Sequence, residues 1–279
     1  MRLGISHVLP HETPAQWAKD LRALQLSAAV FPVEYTAGDA QIAAYADAAR
    51  DEGLCIAEVG AWSNPLSEIP EQRAAALAKC KGQLRLAEEL GARCCVNIAG
   101  AFGGARWDGF HRANYTQEAF DATVQSIREI IDSVKPKKTV YCMEAMQWMI
   151  PDTPQQYLDL LKAVDREAFA VHIDITNWVY SPRTYLYNRE FIDEAFDLLG
   201  AGVRSCHLKD SKLHDGMTCL LEEVPVGLGG LDIAHYIERA EALSPDMPMI
   251  IEHLTGDAAY REAVVRVQDI ARSAGVAIR

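Results

Sequence analysis

Phe169-Ala-Val-His-Ile-Asp-Ile-Thr-Asn-Trp178 is the stretch on which the reading of this chain turns. It begins as a buried strand, with Phe169, Val171 and Ile173 apolar, and carries an acid, Asp174, where the apolar run gives out. Three other runs are built the same way: Thr139-Val-Tyr-Cys-Met-Glu144, Val203-Arg-Ser-Cys-His207 and Met249-Ile-Ile-Glu252. A carboxylate or imidazole at the end of an apolar strand is poorly placed for core packing. It is well placed to face a site at the rim of a parallel barrel. Four such residues on four strands suggest one shared ion.

Strands and helices alternate on either side of these runs. Leu3-Gly-Ile-Ser-His7 reads as a first strand, and Thr13-Pro14 as the cap and first residue of a helix with Trp17, Leu21 and Leu24 on one face. Residues 28–33, 54–59 and 93–98 read as the next strands, separated by helices over 40–52 and 71–90, the second ending at Gly91 as a left-handed cap. The four ligand-tipped runs then alternate with helices near 117–134, 153–164, 189–199 and 232–243, and 257–273 closes the series. Alternation of this kind implies parallel strands joined by crossover helices. Eight repeats favour closure over an open sheet, and the Gly-x-Gly-x-x-Gly turn of a dinucleotide-binding sheet is missing after the first strand. The expected fold is α/β, a single (β/α)8 TIM barrel forming one domain over residues 1–279, close to the roughly 250 residues such barrels use.

Composition narrows the function. A formal net charge of −12 argues against a nucleic-acid surface, which relies on clustered Lys and Arg. Met1-Arg-Leu-Gly runs straight into a strand-like segment, and no apolar stretch reaches the roughly 20 residues of a membrane helix, so no leader or membrane span is expected. Seven cysteines, mostly inside apolar strands and without a CxxC pair, read as free thiols in a reducing cytoplasm.

The spacing supports a shared site. Glu144, Asp174 and His207 lie about one strand–helix unit apart, and the longer interval to Glu252 is explained by an inserted loop over 210–230. Three carboxylates and one imidazole make a hard, oxygen-rich set that suits Mn²⁺, Mg²⁺ or Co²⁺ better than a thiolate-type zinc site. Cys142 and Cys206 lie beside these residues in sequence and read as strand packing. Any one acid at a strand end is ordinarily a cap or salt-bridge partner; the joint pattern carries the argument.

Glu144, Asp174, His207 followed by Leu-Lys-Asp (a His-x-Lys-Asp motif) and Glu252 resemble the xylose-isomerase-like, AP-endonuclease-family-2 barrels. These include sugar phosphate isomerases and epimerases, D-tagatose 3-epimerase, inosose dehydratase and endonuclease IV. The resemblance spans nearly the whole chain. It implies one divalent metal ion, Mn²⁺ foremost with Mg²⁺, Co²⁺ or Zn²⁺ as alternatives, held by Glu144, Asp174, His207 and Glu252. It also implies a sugar or keto-sugar isomerase or epimerase, in which Glu144 and Glu252 act as acid and base around a metal-stabilised enediolate. The alternative is a metal-dependent lyase or dehydratase on a keto-sugar or inosose, including C-glycoside-cleaving relatives. A non-catalytic sugar-binding barrel and an AP-endonuclease-type phosphodiesterase stand further back. Asn177 occupies a position where endonuclease IV and the ketose epimerases carry a histidine, and Asn97 is the polar residue in the strand where endonuclease IV has another. Without those imidazoles a trinuclear zinc cluster is not assembled, which speaks against DNA repair. The resemblance makes a homodimer or homotetramer reasonable.

Further residues are expected around the substrate. Lys209 shares a face with His207 on an extended strand and reaches a substrate oxygen or the developing negative charge, or forms a salt bridge to Asp210 or a neighbour. His172 lies one layer below Asp174, as a hydrogen-bonded core histidine or a contact to the site. His7 and Glu58, at the ends of the first and third strands, line the pocket or hold a loop. Asn177 is placed beside the substrate. Trp62, Trp107, Trp148 and Trp178 follow strands three to six; Trp62 and Trp148 are the candidates to pack a sugar's C–H face, with loop packing as the alternative. Arg183 grips a phosphate or carboxylate, or is a surface arginine. Pro225-Val-Gly-Leu-Gly-Gly230 reads as a glycine turn before a helix.

Overall fold

The computed structural model describes residues 1–104 and 106–279. In chain order its strands are β1 (Arg2–Ile5), β2 (Ala28–Val30), β3 (Cys55–Gly60), β4 (Cys94–Asn97), β5 (Tyr141–Met143), β6 (Phe169–Ile173), β7 (Val203–Leu208), β8 (Asp210–His214), β9 (Leu220–Val224) and β10 (Pro248–Ile251). Eight of them form one parallel sheet in the order β1-β10-β7-β6-β5-β4-β3-β2. The two ends of that order meet. Among the described residues β1 and β2 share no ladder, but the Ser27 amide donates to the Leu3 carbonyl at 3.0 Å. Gly4 permits the approach: a Cβ there would lie 2.6 Å from the Ala28 carbonyl oxygen. The result is a (β/α)8 TIM barrel closed at a narrow seam.

The crossover helices are α1 (Pro14–Ala23), α2 (Asp39–Asp51), α3 (Pro70–Leu90), α4 (Gln117–Val134) and α5 (Pro154–Val164); short α6 (Ile175–Trp178) and α7 (Pro182–Leu186) precede α8 (Asn188–Leu199), α9 (Ile233–Leu243) and α10 (Gly256–Ser273). Their starts follow capping chemistry. Thr13, Thr116 and Thr153 each accept a backbone N–H with the side-chain hydroxyl, and Pro14 and Pro154 fill first-turn positions where a missing N–H costs nothing. Gly91 ends α3 at φ 65° in the left-handed region, as expected. Trp17 on α1 is buried core. The region 210–230, expected as a loop, instead contains an antiparallel ribbon of β8 and β9. The cysteines are all free thiols, with Cys219 exposed and Cys55 half-buried. No helix among the described residues is long and apolar enough to cross a membrane.

Alternation along each strand gives the wall an inner and an outer face. Outward residues such as Tyr141, Met143, Phe169, Val171 and Ile173 join the main core beneath the helices. Two small separate clusters, one of Cys94, Val96, Cys142 and Ala170 and one of Ala28, Ala57 and Ile250, fill the lumen. Above them, on the same inner rows and two residues further along, stand Glu144, His172 and Glu252.

Candidate metal centre

Each of the four expected ligands is delivered by its own strand. Glu144 follows β5, Asp174 follows β6, His207 lies near the end of β7, and Glu252 follows β10. One donor atom from each comes within 4.8 Å of all the others, and all four residues are buried. Asp174 doubles as the N-cap of α6, accepting from the Asn177 amide at 3.3 Å with Oδ1 and leaving Oδ2 for the centre. His207 turns Nδ1 toward the acids, 2.8 Å from Glu252 Oε1, 3.2 Å from Glu144 Oε1 and 3.6 Å from Asp174 Oδ2. His253, immediately after Glu252, has φ 60°, a left-handed conformation that costs a side-chain-bearing residue about 1–2 kcal/mol. The chain turns sharply there, at the strand end that carries the ligand.

Lys209 enters the same space. Its ammonium lies 2.6 Å from Asp174 Oδ2, 2.6 Å from Glu252 Oε1 and 3.4 Å from Glu144 Oε1. Pairing with Asp210 does not occur, because the Asp210 carboxylate instead accepts the amides of Ser211, Gly227, Gly229 and Leu231 at 2.8–3.1 Å. The glycine turn over 225–230 is therefore clasped by the acid next to Lys209.

Charge coupling dominates the site. Burial alone would raise the Asp174 carboxyl, but Lys209 and His207 hold it well below the usual range; for Glu252, burial is likewise overcome by His207 and Lys209. Burial would lower His207 and Lys209, yet Glu252, Glu58 and Glu144 drive His207 well above its ordinary value, and Asp174, Glu252 and Glu144 do the same for Lys209. Burial pushes the Cys206 thiol up to about 12, so it stays protonated and is no competing ligand.

The donor set fits a hard divalent cation. Asp174 Oδ2 and Glu252 Oε1 are shielded from solvent and lie 2.6 Å from Lys209 Nζ, with His207 Nδ1 2.8 Å from Glu252 Oε1. Three buried carboxylates face one ammonium and one imidazole, and a cation bound by the three carboxylates and the imidazole would compensate their charge.

Glu144, His207 and Glu252 line a cavity of about 370 Å³ together with Glu58, Trp62, Trp107, Asp108, Met146 and His253, with Ser6, Val30 and Ile98 completing the wall, whereas Asp174 is fully buried and outside the lining. Trp62 is half exposed there, its ring 6.5 Å from that of His207. Gly60 permits this fold-back, since a Cβ on it would collide with the Trp62 indole. Trp148 lies outside the lining; its Nε1 donates to the Asp108 carbonyl at 2.8 Å and fixes the loop that brings Trp107 and Asp108 to the mouth. Trp178 is fully buried against Tyr157. Asn177 is buried and donates from Nδ2 to Glu144 Oε1 and the Ala145 carbonyl, both at 2.9 Å. His172 and Glu58 meet beneath the quartet at 3.1 Å. His7 is outside the lining, paired with Asp257 Oδ1 at 2.6 Å and stacked on Tyr260, while its neighbour Ser6 faces the cavity. Arg183 is exposed on α7, away from the cavity.

Several lining residues had no distinctive signal. Val30, Ile98 and Met146 read as ordinary strand or loop apolars, and only the ring closure puts them opposite the acids. Ser205 is different: it sits two residues before His207 and four before Lys209 on one inner row of β7, a period-2 pattern that could have been read from the sequence.

Residues 18–270 match the family model described as a xylose isomerase-like TIM barrel. No curated protein matches the sequence. Solved structures with the same fold include a xylose isomerase-like TIM barrel protein from Mycobacterium smegmatis in complex with magnesium, 18% identical, covering 93% of this chain and 88% of that one at a TM-score of 0.69. D-psicose 3-epimerase with D-tagatose from Clostridium cellulolyticum is 14% identical, with 98% and 99% covered and a TM-score of 0.70. The probable 3-DHS dehydratase AsbF of Bacillus anthracis, involved in petrobactin synthesis, is 13% identical, with 97% and 99% covered and a TM-score of 0.72.

Proposed function

The chain belongs to the xylose isomerase-like TIM-barrel family, and on that premise we propose that it is a divalent-metal-dependent isomerase or epimerase of a sugar or keto-sugar. The observation that carries this reading is the convergence of Glu144, Asp174, His207 and Glu252 on one point beside the cavity that three of them line. A divalent ion, Mn²⁺ foremost, supplies there the positive charge that stabilises oxygen charge as a proton leaves the neighbouring carbon. Glu144 and Glu252 come from different strands and both line the cavity, so one removes the proton and the other returns it. Asn177 fixes the Glu144 carboxylate by its 2.9 Å hydrogen bond. Lys209 is buried outside the lining and holds Asp174 and Glu252 in place through its 2.6 Å contacts. Trp62 and Trp107 offer faces for the sugar's C–H edges and exclude water.

The lining also bears on charge. Among the described residues that line the cavity there is no Lys or Arg, and Asp108 at the mouth is tied to an outward-turned, exposed Arg106 at 2.9 Å. A surround of carboxylates with no free cation supports an uncharged sugar over a sugar phosphate.

The lyase or dehydratase reading is kept beside this one because a neighbour in fold is a probable dehydratase, and the same proton abstraction begins both reactions. Incubation of Mn²⁺-loaded protein with unphosphorylated ketohexoses and keto-glycosides in D₂O, followed by NMR, tests the proposal. Deuterium entry with an isomeric product supports it; loss of water or an aglycone favours the lyase. Glu144→Gln and Glu252→Gln are expected each to abolish exchange, lowering turnover about 10²–10⁴-fold. Exchange retained in both variants rejects their assignment.

A further inference from the structure

Beneath the quartet lies a second group of buried polar side chains, Glu58, His172 and Ser205, joined to one another and to His207. Glu58 on β3 is 1% exposed. Its Oε1 accepts from the Ser205 hydroxyl and from His172 Nε2 at 3.1 Å, and its Oε2 lies 3.3 Å from His207 Nε2. His207 therefore stands between two acid layers, with Nδ1 toward the quartet and Nε2 toward Glu58. The strand ladders are irregular at these points. The β2–β3 register shifts between Ala29 and Val30, opposite Glu58, and the β6–β7 register shifts between Val171 and His172. Shifts of this kind re-aim a side chain next to a site.

From this geometry we infer that Glu58 is a positioning residue for the metal centre: by accepting the His207 Nε2 proton it holds the imidazole in the tautomer whose Nδ1 lone pair faces the ion. A neutral imidazole carries one N–H and one lone pair, and the hydrogen bond made by one nitrogen decides which the other presents. Glu58 is itself held by three donors. His172 supports the arrangement from below, with Nε2 3.1 Å from Glu58 Oε1 and Nδ1 buried without a partner. Ser205 occupies the remaining lone pair of Oε1 and keeps the carboxylate from rotating. Glu58 thus acts through His207, although it reaches the cavity lining.

The inference presupposes the single ion proposed above, and the experiment separates the two. Mn²⁺ and Co²⁺ binding to the metal-stripped full-length chain is measured by calorimetry, with the visible spectrum of the Co²⁺ form and circular dichroism as a fold check. Wild type is expected to take up one ion. Glu58→Gln keeps the shape but replaces the carboxylate, and is expected to weaken binding about 10–100-fold and to shift the Co²⁺ bands. Ser205→Ala leaves the charge and loosens its orientation, so a smaller loss of the same sign is expected. Unchanged affinity and spectrum in folded Glu58→Gln overturns the inference and leaves the metal centre standing. If Glu58→Gln does not fold, unchanged affinity in Ser205→Ala overturns it instead. Two ions per wild-type chain also overturns it, since Glu58, His172 and His207 would then be ligands of a second cation. A wild-type chain that binds neither ion sinks both readings.

Discussion

The two halves of the barrel do different work. The half made by β5, β6, β7 and β10 ends in Glu144, Asp174, His207 with Lys209, and Glu252, all buried, with each acid within 3.6 Å of both His207 and Lys209. The half made by β1 to β4 ends in Ser6, Val30, the Gly60–Trp62 turn and Ile98, a wall that is mostly apolar and partly open to solvent. One half concentrates charge that must be compensated at every moment; the other offers surface on which a ligand can lie. On the proposed function, reactivity would belong to the first half and choice of substrate to the second. Glu58 is the exception: it stands on β3 and reaches across the lumen to His207.

The largest effect should come from unbalancing the charged half. Lys209→Met removes the ammonium that faces three buried carboxylates. In chelator-treated protein the loss should be about 3–5 kcal/mol, read as a fall in Tm, and saturating Mn²⁺ should recover much of it. If the variant melts like wild type without metal, the acids are not held together by Lys209 and the contrast between the halves weakens.

The next effect is on pH dependence. Asp174 and Glu252 are held below the ordinary carboxylate range in the folded chain, so the stability they contribute is complete above their unfolded values of about 4 and is lost as pH falls toward the folded ones. His207 is held above its ordinary value, so its contribution is complete below about 6.5 and is lost as pH rises through the folded value. Metal-free protein should therefore be most stable between roughly pH 4 and 6.5. Bound ion should flatten the alkaline limb, because Nδ1 then no longer carries a proton, and ion affinity should rise with pH. Melting curves from pH 3 to 9 with chelator and with Mn²⁺ check both limbs.

The smallest effect should come from the apolar half. Trp62→Ala and Trp107→Ala leave the acids untouched and remove aromatic faces from the lining. Each should raise KM by an amount corresponding to about 0.5–1.5 kcal/mol, with kcat little changed. A fall in kcat with KM unchanged would mean that the wall takes part in proton transfer and that the division of labour is wrong.

How much of this was legible in the sequence differs between the halves. The charged half announces itself because a carboxylate after Val171-His-Ile173 or after Met249-Ile-Ile251 has no packing role, and period-2 alternation puts it on the inner face. The apolar wall carries no such mark: Val30 and Ile98 are the residues any strand would use. Glu58 was legible as a pocket candidate but not as the partner of His207, since that contact spans the lumen and depends on two register shifts that alternation does not encode. Asn177 read as a substrate contact because of where it falls after Asp174; the short α6 turns it back onto Glu144. Arg183 read as an anion grip or a surface arginine, and α7 leaves it exposed and outside the cavity lining. The ribbon of β8 and β9 hid behind a loop-like, glycine-rich sequence whose organising residue, Asp210, collects four amides from both of its ends.

The joint between β1 and β2 has a consequence for how the molecule can yield. The strands that carry Glu144, Asp174, His207 and Glu252 are consecutive in the ring and bonded to one another without a gap, whereas among the described residues the circle is completed elsewhere by one amide-to-carbonyl link, Ser27 to Leu3. A ring with one loose stitch gives way at the stitch. On the proposed function, strain from a bulkier guest would be taken up beside Ser6 and Val30, while Glu144, Asp174, His207 and Glu252 would keep their spacing.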